Sequence, residues 1–104
     1  MVETHGADLS EASLLEETRL ATSEDVLMRA LEGEAVLLDL ASGTYFGLND
    51  VGVRVWELVE AGTTVGALRR TLLEEFEVDE ATLAADLSSL LADLEKRGLV
   101  RRPP

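Results

Sequence analysis

The chain has 104 residues, of which 46% are hydrophobic and 4% aromatic, and this predicts one domain with a core of leucine, valine and alanine. Its 21 acidic residues outnumber the 9 basic ones, and the net charge of −12 argues against binding to nucleic acid or to anionic membrane surfaces. No apolar run reaches the roughly 20 residues of a membrane span, no signal peptide opens the chain and cysteine is absent, so we expect a soluble cytoplasmic protein.

Residues 1–17 form an acidic N-terminal tail, and its first half has the polar composition of a disordered segment. Leu14, Leu15 and Leu20 can tether the end of the tail to the body. His5 is the only histidine, and one histidine without a cysteine does not make a metal site. We expect no metal, no cofactor and no catalytic role for it.

Three strands are predicted after the tail. The first is Val26–Leu31, and Glu32-Gly33 can then form a two-residue hairpin turn. Residues 35–40 alternate, so that Val36, Leu38 and Leu40 share one face and Ala35, Leu37 and Asp39 share the other. Gly43 can take the positive φ of the next turn, and the third strand is Thr44–Leu48. These strands predict an antiparallel meander.

Three helices are predicted after the sheet, each with residues that favour its ends. Asn49 or Asp50 can cap the first helix, Thr63 or Thr64 the second, and Asp79 the third. Gly62 ends the first helix and Gly98 the third. Apolar residues repeat at helical spacing in all three, most clearly in the third, where the repeat consists of Leu83, Leu87, Leu90, Leu91 and Leu94. The fold class is α+β and winged-helix-like, a three-stranded antiparallel sheet followed by a three-helix bundle.

The sequence lacks the side chains that concentrated chemistry needs. It has no cysteine nucleophile, no second histidine and no glycine-rich phosphate loop, and its carboxylates are spread over the predicted helix surfaces. We therefore expect a binding protein rather than an enzyme. A winged-helix DNA-binding regulator and a general interaction domain remain as alternatives, although the acidic last helix would repel phosphates.

With these elements placed, the sequence resembles the PqqD-like family, the peptide-recognition elements of ribosomal peptide maturation. The resemblance covers residues 19–101 and is carried by the ordered set of four motifs, Val36-Leu37-Leu38-Asp39, Gly43-Thr44-Tyr45-Phe46-Gly47-Leu48-Asn49, Trp56-Glu57-Leu58, and Asp86-Leu87 through Leu94 to Gly98-Leu99-Val100. The pattern is most like the stand-alone members of lasso peptide biosynthesis. Members serving pyrroloquinoline quinone synthesis are similar in fold and length, and they are the alternative.

The resemblance implies a non-catalytic domain that binds the leader segment of a precursor peptide as an added β-strand. The domain would occupy residues 18–101, with a C-terminal tail at 102–104. It would deliver the precursor to a maturation enzyme, a leader peptidase in the lasso type or a radical SAM enzyme in the quinone type. The implied peptide-binding residues are Thr44, Tyr45, Phe46, Gly47, Leu48, Leu83, Asp86, Leu87 and Leu90.

The physical chemistry of an edge strand fits this mode of binding. An edge strand offers unpaired N–H and C=O groups to an extended peptide, while an adjacent apolar groove supplies the specificity. Tyr45 and Phe46 must point to opposite faces of a regular strand. We expect the leader to pair antiparallel with Thr44–Leu48 and proline at Phe46 to abolish this pairing, provided that the Phe46 N–H faces the leader.

Overall fold

A computed structural model describes residues 16–32 and 34–103. The strands are β1 (Arg19–Thr22), β2 (Val26–Leu31), β3 (Glu34–Asp39), β4 (Thr44–Leu48), β5 (Thr63–Thr64) and β6 (Val100–Arg101). The helices are α1 (Asp50–Ala61), α2 (Val65–Glu75) and α3 (Glu80–Lys96). The predicted α+β class, with a three-stranded antiparallel sheet followed by three helices, is confirmed. The predictions for the first half of the tail, for Leu14 and Leu15, and for His5 fall outside the described residues.

Strands β2, β3 and β4 form the predicted meander. Leu31 is opposite Glu34 in the first hairpin, and Asp39 is opposite Thr44 in the second. The middle strand ends at Asp39, one residue before the predicted end, because the Asp39 carboxylate holds the turn. It accepts the Ala41 N–H at 3.0 Å and the Ser42 hydroxyl at 2.9 Å. Gly43 completes the turn with the predicted positive φ, 76°.

The two faces of this sheet have different environments. Ala35 and Leu37 on β3 are 2% and 0% exposed and belong to the inner face. The neighbouring Val36 and Leu38 lie on the outer face and are half-buried. The helices therefore pack against the face that contains Ala35, Leu37 and Asp39. The opposite face, with Val36, Leu38 and Leu40, looks more apolar in the sequence.

Each helix begins at a side-chain cap, which satisfies N–H groups that the first turn leaves without partners. Asn49 accepts the Gly52 N–H at 2.9 Å, Thr64 accepts the Ala67 N–H at 3.2 Å and Asp79 accepts the Thr82 N–H at 3.1 Å. Gly62 and Gly98 follow α1 and α3 with φ of 99° and 76°. The predicted caps and helix ends are confirmed, and the structure decides between the alternatives in favour of Asn49 and Thr64.

The core lies between the inner face of the sheet and the helices. Trp56 on α1, together with Leu68 and Leu72 on α2, is fully buried, and Leu94 on α3 is 1% exposed. The other buried members of this core cluster are Leu20, Val26, Leu37, Leu48, Val55, Val59, Leu83, Leu87, Leu91, Leu99 and Val100. Of the repeating leucines of α3, Leu90 alone is only partly buried, and this leaves it available at the protein surface.

A second small sheet, which the sequence did not predict, joins the two ends of the described chain. Strand β1 pairs with β5 on one side and with β6 on the other, all antiparallel. Leu20 of β1 is 5% exposed and so joins the core. The strands β5 and β6 have two residues each, too short to show an alternation that sequence analysis could detect.

Helices α1 and α2 are also joined at the surface by an ion pair. The Arg54 guanidinium donates to both carboxylate oxygens of Glu75, with Nε–Oε1 at 2.7 Å and Nη2–Oε2 at 2.8 Å. These hydrogen bonds lower the pKa of Glu75 and raise the pKa of Arg54. The pair is solvent-exposed, so it contributes little to the stability of the fold.

Candidate functional site

The candidate site begins at the open edge of β4. Strand β4 pairs with β3 along its whole length, from Thr44 opposite Asp39 to Leu48 opposite Ala35. Within residues 16–32 and 34–103, no strand pairs with its other edge. An open edge carries backbone donors and acceptors that another extended chain can use.

Two hydrogen bonds show which way the backbone groups of β3 point. The Leu40 N–H donates to the Asp25 carbonyl at 2.8 Å, so the main chain at position 40 faces β2. The Asp39 carbonyl accepts the Gly43 N–H at 2.8 Å, so the main chain at position 39 faces β4. Because successive residues of a strand direct these groups to alternate sides, Leu37 also faces β4.

The register then fixes the direction of the backbone groups in β4. Phe46 is opposite Leu37, so its N–H and C=O groups face β3. The groups of Tyr45 and Gly47 consequently face the open edge. Proline at Phe46 was predicted to abolish leader pairing on the condition that the Phe46 N–H faces the leader. This N–H faces β3 instead, so the substitution would remove a hydrogen bond inside the sheet.

The two aromatic side chains of β4 lie on opposite faces, as the alternation predicts. Tyr45 is 72% exposed on the outer face. Phe46 packs against the core on the inner face, and the Arg97 guanidinium lies 5.0 Å from the centre of its ring. This cation–π contact brings the end of α3 to the middle of β4.

A groove of about 370 Å³ continues from the end of β4, between the first turn of α1 and one side of α3. Four of the predicted site residues line it, Leu83, Asp86, Leu87 and Leu90. Leu83 and Leu87 are 3% and 4% exposed and form its floor, whereas Leu90 is half-buried and Asp86 is exposed at the rim. The predicted residues Thr44–Leu48 provide the strand that leads to the groove rather than its walls.

The opposite wall of the groove contains residues that sequence analysis did not select. Asn49, Val51 and Gly52 belong to the corner between β4 and α1. A Cβ atom at Gly52 would lie 3.0 Å from Leu48 Cδ2, so glycine allows this corner to be tight. The Asn49 cap is recognisable in the sequence, but that it faces α3 depends on how the helices pack.

Two acidic residues of α3 lie along this groove, and a basic residue follows the end of the helix. Asp86 and Asp93 line it and are exposed, and Arg97 follows one turn later beside Phe46. Among the described residues, neither aspartate forms an ion pair. The charged residues that line the groove are therefore acidic, and the basic Arg97 lies outside it, beside Phe46.

The rest of the described chain offers neither a metal site nor a membrane span. Residues 16–32 and 34–103 contain no group of three or more histidine, cysteine, aspartate or glutamate side chains placed to hold a metal ion. In the same residues, no helix is long and apolar enough to cross a membrane. Another groove of about 310 Å³ lies on the far side of α3 and is lined by residues of α2, so it is not continuous with the open edge of β4.

Comparison with known proteins assigns this architecture to a family. Residues 34–100, which include β3, β4 and all three helices, match the family described as coenzyme PQQ synthesis protein D (PqqD). The chain belongs to the PqqD family. The resemblance inferred from the sequence motifs is thereby confirmed.

Two solved structures are similar to this PqqD family member. The first is TbiB1 in complex with the TbiA(beta) leader peptide, with 34% identity, a TM-score of 0.71, and coverage of 81% of this chain and 98% of that chain. The second is a lasso peptide synthetase B1 complexed with the leader peptide, with a TM-score of 0.69 and coverage of 79% of this chain and 96% of that chain. Its identity is 23%, so this second similarity concerns the fold. No curated protein matches the chain in sequence.

Proposed function

We propose that this protein binds the leader segment of a ribosomally made precursor peptide by β-strand addition and has no catalytic activity of its own. The observation that carries the proposal is the open edge of β4, where Tyr45 and Gly47 present their backbone groups, together with the groove that begins just beyond the end of this strand. Membership of the PqqD family and the 34% identity to TbiB1, a protein solved with a leader peptide, support it.

In this mode of binding, backbone hydrogen bonds supply affinity and side-chain contacts supply specificity. An antiparallel leader exchanges hydrogen bonds with Tyr45 and Gly47, which supplies affinity with little dependence on sequence. Every second leader side chain then lies on the inner face beside Phe46 and over Leu90. The fit of these side chains in the groove distinguishes one peptide from another.

We place the recognition domain at residues 18–101 and the protein in the cytoplasm, where ribosomes make precursor peptides. The pairing of β1 with β6 supports these limits, because it ties the two ends of the described chain together. The sequence motifs favour a lasso pathway, with a leader peptidase as the partner, and the fold shared with a lasso peptide synthetase B1 agrees with this. The family's description supports the alternative, a role in pyrroloquinoline quinone synthesis beside a radical SAM enzyme.

Calorimetry with the leader encoded beside this protein's gene tests the proposal. We expect one leader per protein and a dissociation constant of roughly 0.1–10 µM, about 7–9.5 kcal/mol, because ordering an unfolded leader offsets part of the interaction energy. A leader of the same composition in scrambled order is the control. Absence of binding by the genuine leader at hundreds of micromolar contradicts the proposal.

Delivery to an enzyme requires a second surface, and we assign it to the outer face of the β2–β4 sheet. Leu27, Leu31 and Tyr45 are 44%, 55% and 72% exposed there, beside the half-buried Leu38. An added leader strand would extend this face, so a maturation enzyme with an apolar surface could contact the domain and the leader together.

The double substitution Leu27→Thr/Leu31→Thr tests this second surface. Threonine keeps the preference for β-structure while it removes apolar area from the outer face. We expect leader affinity to stay within about twofold and processing of the precursor by the partner enzyme to fall by at least about tenfold, since every tenfold corresponds to about 1.4 kcal/mol of lost contact. Unchanged processing would exclude the outer face as the docking surface.

A further inference from the structure

An open strand edge alone does not determine the direction in which a peptide binds. Extended chains can pair with β4 in parallel or antiparallel orientation, and they can shift along it by two residues without losing hydrogen bonds. The side chains beside the edge must therefore select one orientation and one register. In this protein the exposed charges that line the groove are Asp86 and Asp93 on α3, and the exposed Arg97, directly after α3, lies beside Phe46 of the strand.

These charges lie in a fixed order relative to β4. Asp86 and Asp93 are seven residues apart on α3, which corresponds to about 10 Å along the helix axis. They line the same groove as Asn49 and Val51, whereas Arg97 lies next to Phe46. Along the direction of the β4 chain, the basic group therefore comes first and the acidic stretch follows.

The two aspartates have no internal counter-charge among the described residues. Arg97 is four residues after Asp93, a spacing at which the two side chains can form an ion pair. Its guanidinium instead lies over the Phe46 ring, 5.0 Å from the ring centre, and no Asp93–Arg97 bridge forms. A cation supplied by a bound peptide would therefore meet unpaired carboxylates at the rim of an apolar groove.

An antiparallel leader enters this site from the acidic end. Its inward-facing side chains are two residues apart, about 7 Å, so the earlier one lies near Leu48 and the aspartates, and the later one near Phe46 and Arg97. A basic side chain at the earlier position is attracted by both aspartates, and the apolar stem of Lys or Arg can cover Leu90. In parallel orientation the same residue would approach Arg97 and be repelled.

We propose that the groove selects leaders with a Lys or Arg at the inward-facing position beside Asp86 and Asp93, and that Arg97 excludes a basic residue two positions later. The order of charges along α3 thereby fixes the direction and the register of the bound leader. This inference rests on the strand addition proposed above and names the sequence class that the strand must have.

Selection from a displayed library of random peptides tests the inference without knowledge of the natural leader. The natural protein and the variant Asp86→Asn/Asp93→Asn are each used to select binders. We expect the natural protein to enrich peptides with Lys or Arg at one position of an alternating apolar pattern and without Lys or Arg two positions later. The variant should lose the preference for the basic residue. The best selected peptide should bind the variant about tenfold more weakly, and the difference should shrink as salt is raised.

A matched variant distinguishes an effect of the two groove aspartates from an effect of the protein's net charge. Glu60→Gln/Glu74→Gln changes the net charge equally at two exposed positions that do not line the groove, and it should leave the enrichment unchanged. An equal effect of both double variants would overturn the inference. The inference would also be overturned if the selected peptides show no preference for a basic residue but lose binding to the Gly47→Pro variant. That outcome would still support strand addition. Failure to select any binder, or selection of binders indifferent to Gly47→Pro, would overturn the proposed function together with this inference.

Discussion

Replacing Gly47 with proline should reduce leader binding at least about a hundredfold, to the limit of detection by calorimetry. The Gly47 N–H faces the open edge, so proline removes a donor that the added strand would use, while the bonds to β3 remain. Gly47 does not have a positive φ and a Cβ atom there would have no neighbour within 4 Å, so a side chain fits at this position, and circular dichroism checks that the proline variant keeps the fold. A loss of this size corresponds to about 2.7 kcal/mol.

The opposite edge of the sheet provides a matched control. The hydrogen bond from the Leu40 N–H to the Asp25 carbonyl shows that the backbone groups of Asp25 face the middle strand. These groups alternate along β2, so the Ala30 N–H points away from β3. The Ala30 side chain is exposed. Ala30→Pro should fold, as judged by circular dichroism, and bind the leader as tightly as the natural protein. If Ala30→Pro abolishes binding while Gly47→Pro does not, the leader adds to β2 instead.

The second large effect is expected from Leu37→Ala, which should lower the free energy of unfolding by about 2–5 kcal/mol. Leu37 is 0% exposed in the middle of the central strand, so alanine leaves a cavity between the sheet and the helices. The neighbouring substitution Leu38→Ala removes the same atoms from a half-buried side chain on the outer face. It should cost no more than about 1 kcal/mol, because little new cavity forms.

Urea denaturation of the two variants measures this difference directly. Equal losses of unfolding free energy in the two variants would mean that the face of β3 that contains Leu37 is not the buried one. In that event, the arrangement of Phe46 inside and Tyr45 outside would also fail, because both depend on the same register.

Local residue patterns were sufficient for most of the fold. The alternation of residues 35–40, the turn at Gly43 and the caps at Asn49, Thr64 and Asp79 act over a few residues, so they are visible in the sequence. The order of these motifs was also enough to identify the family. For the site, the strand Thr44–Leu48 and the apolar side of α3 were recognised in the same way, and their role in binding stays a prediction.

What the sequence by itself determined is thus the set of elements, their ends and the kind of protein that they form. The tertiary structure decided which face of β3 is buried, since either face of an alternating strand with apolar residues on both sides can be covered. It also decided that Tyr45 and Gly47, rather than Phe46, face the open edge, because that direction depends on the register with β3. The wall formed by Asn49, Val51 and Gly52 and the position of Arg97 beside Phe46 depend on how α1 and α3 pack. These are contacts between residues far apart in the chain, and no local pattern encodes them.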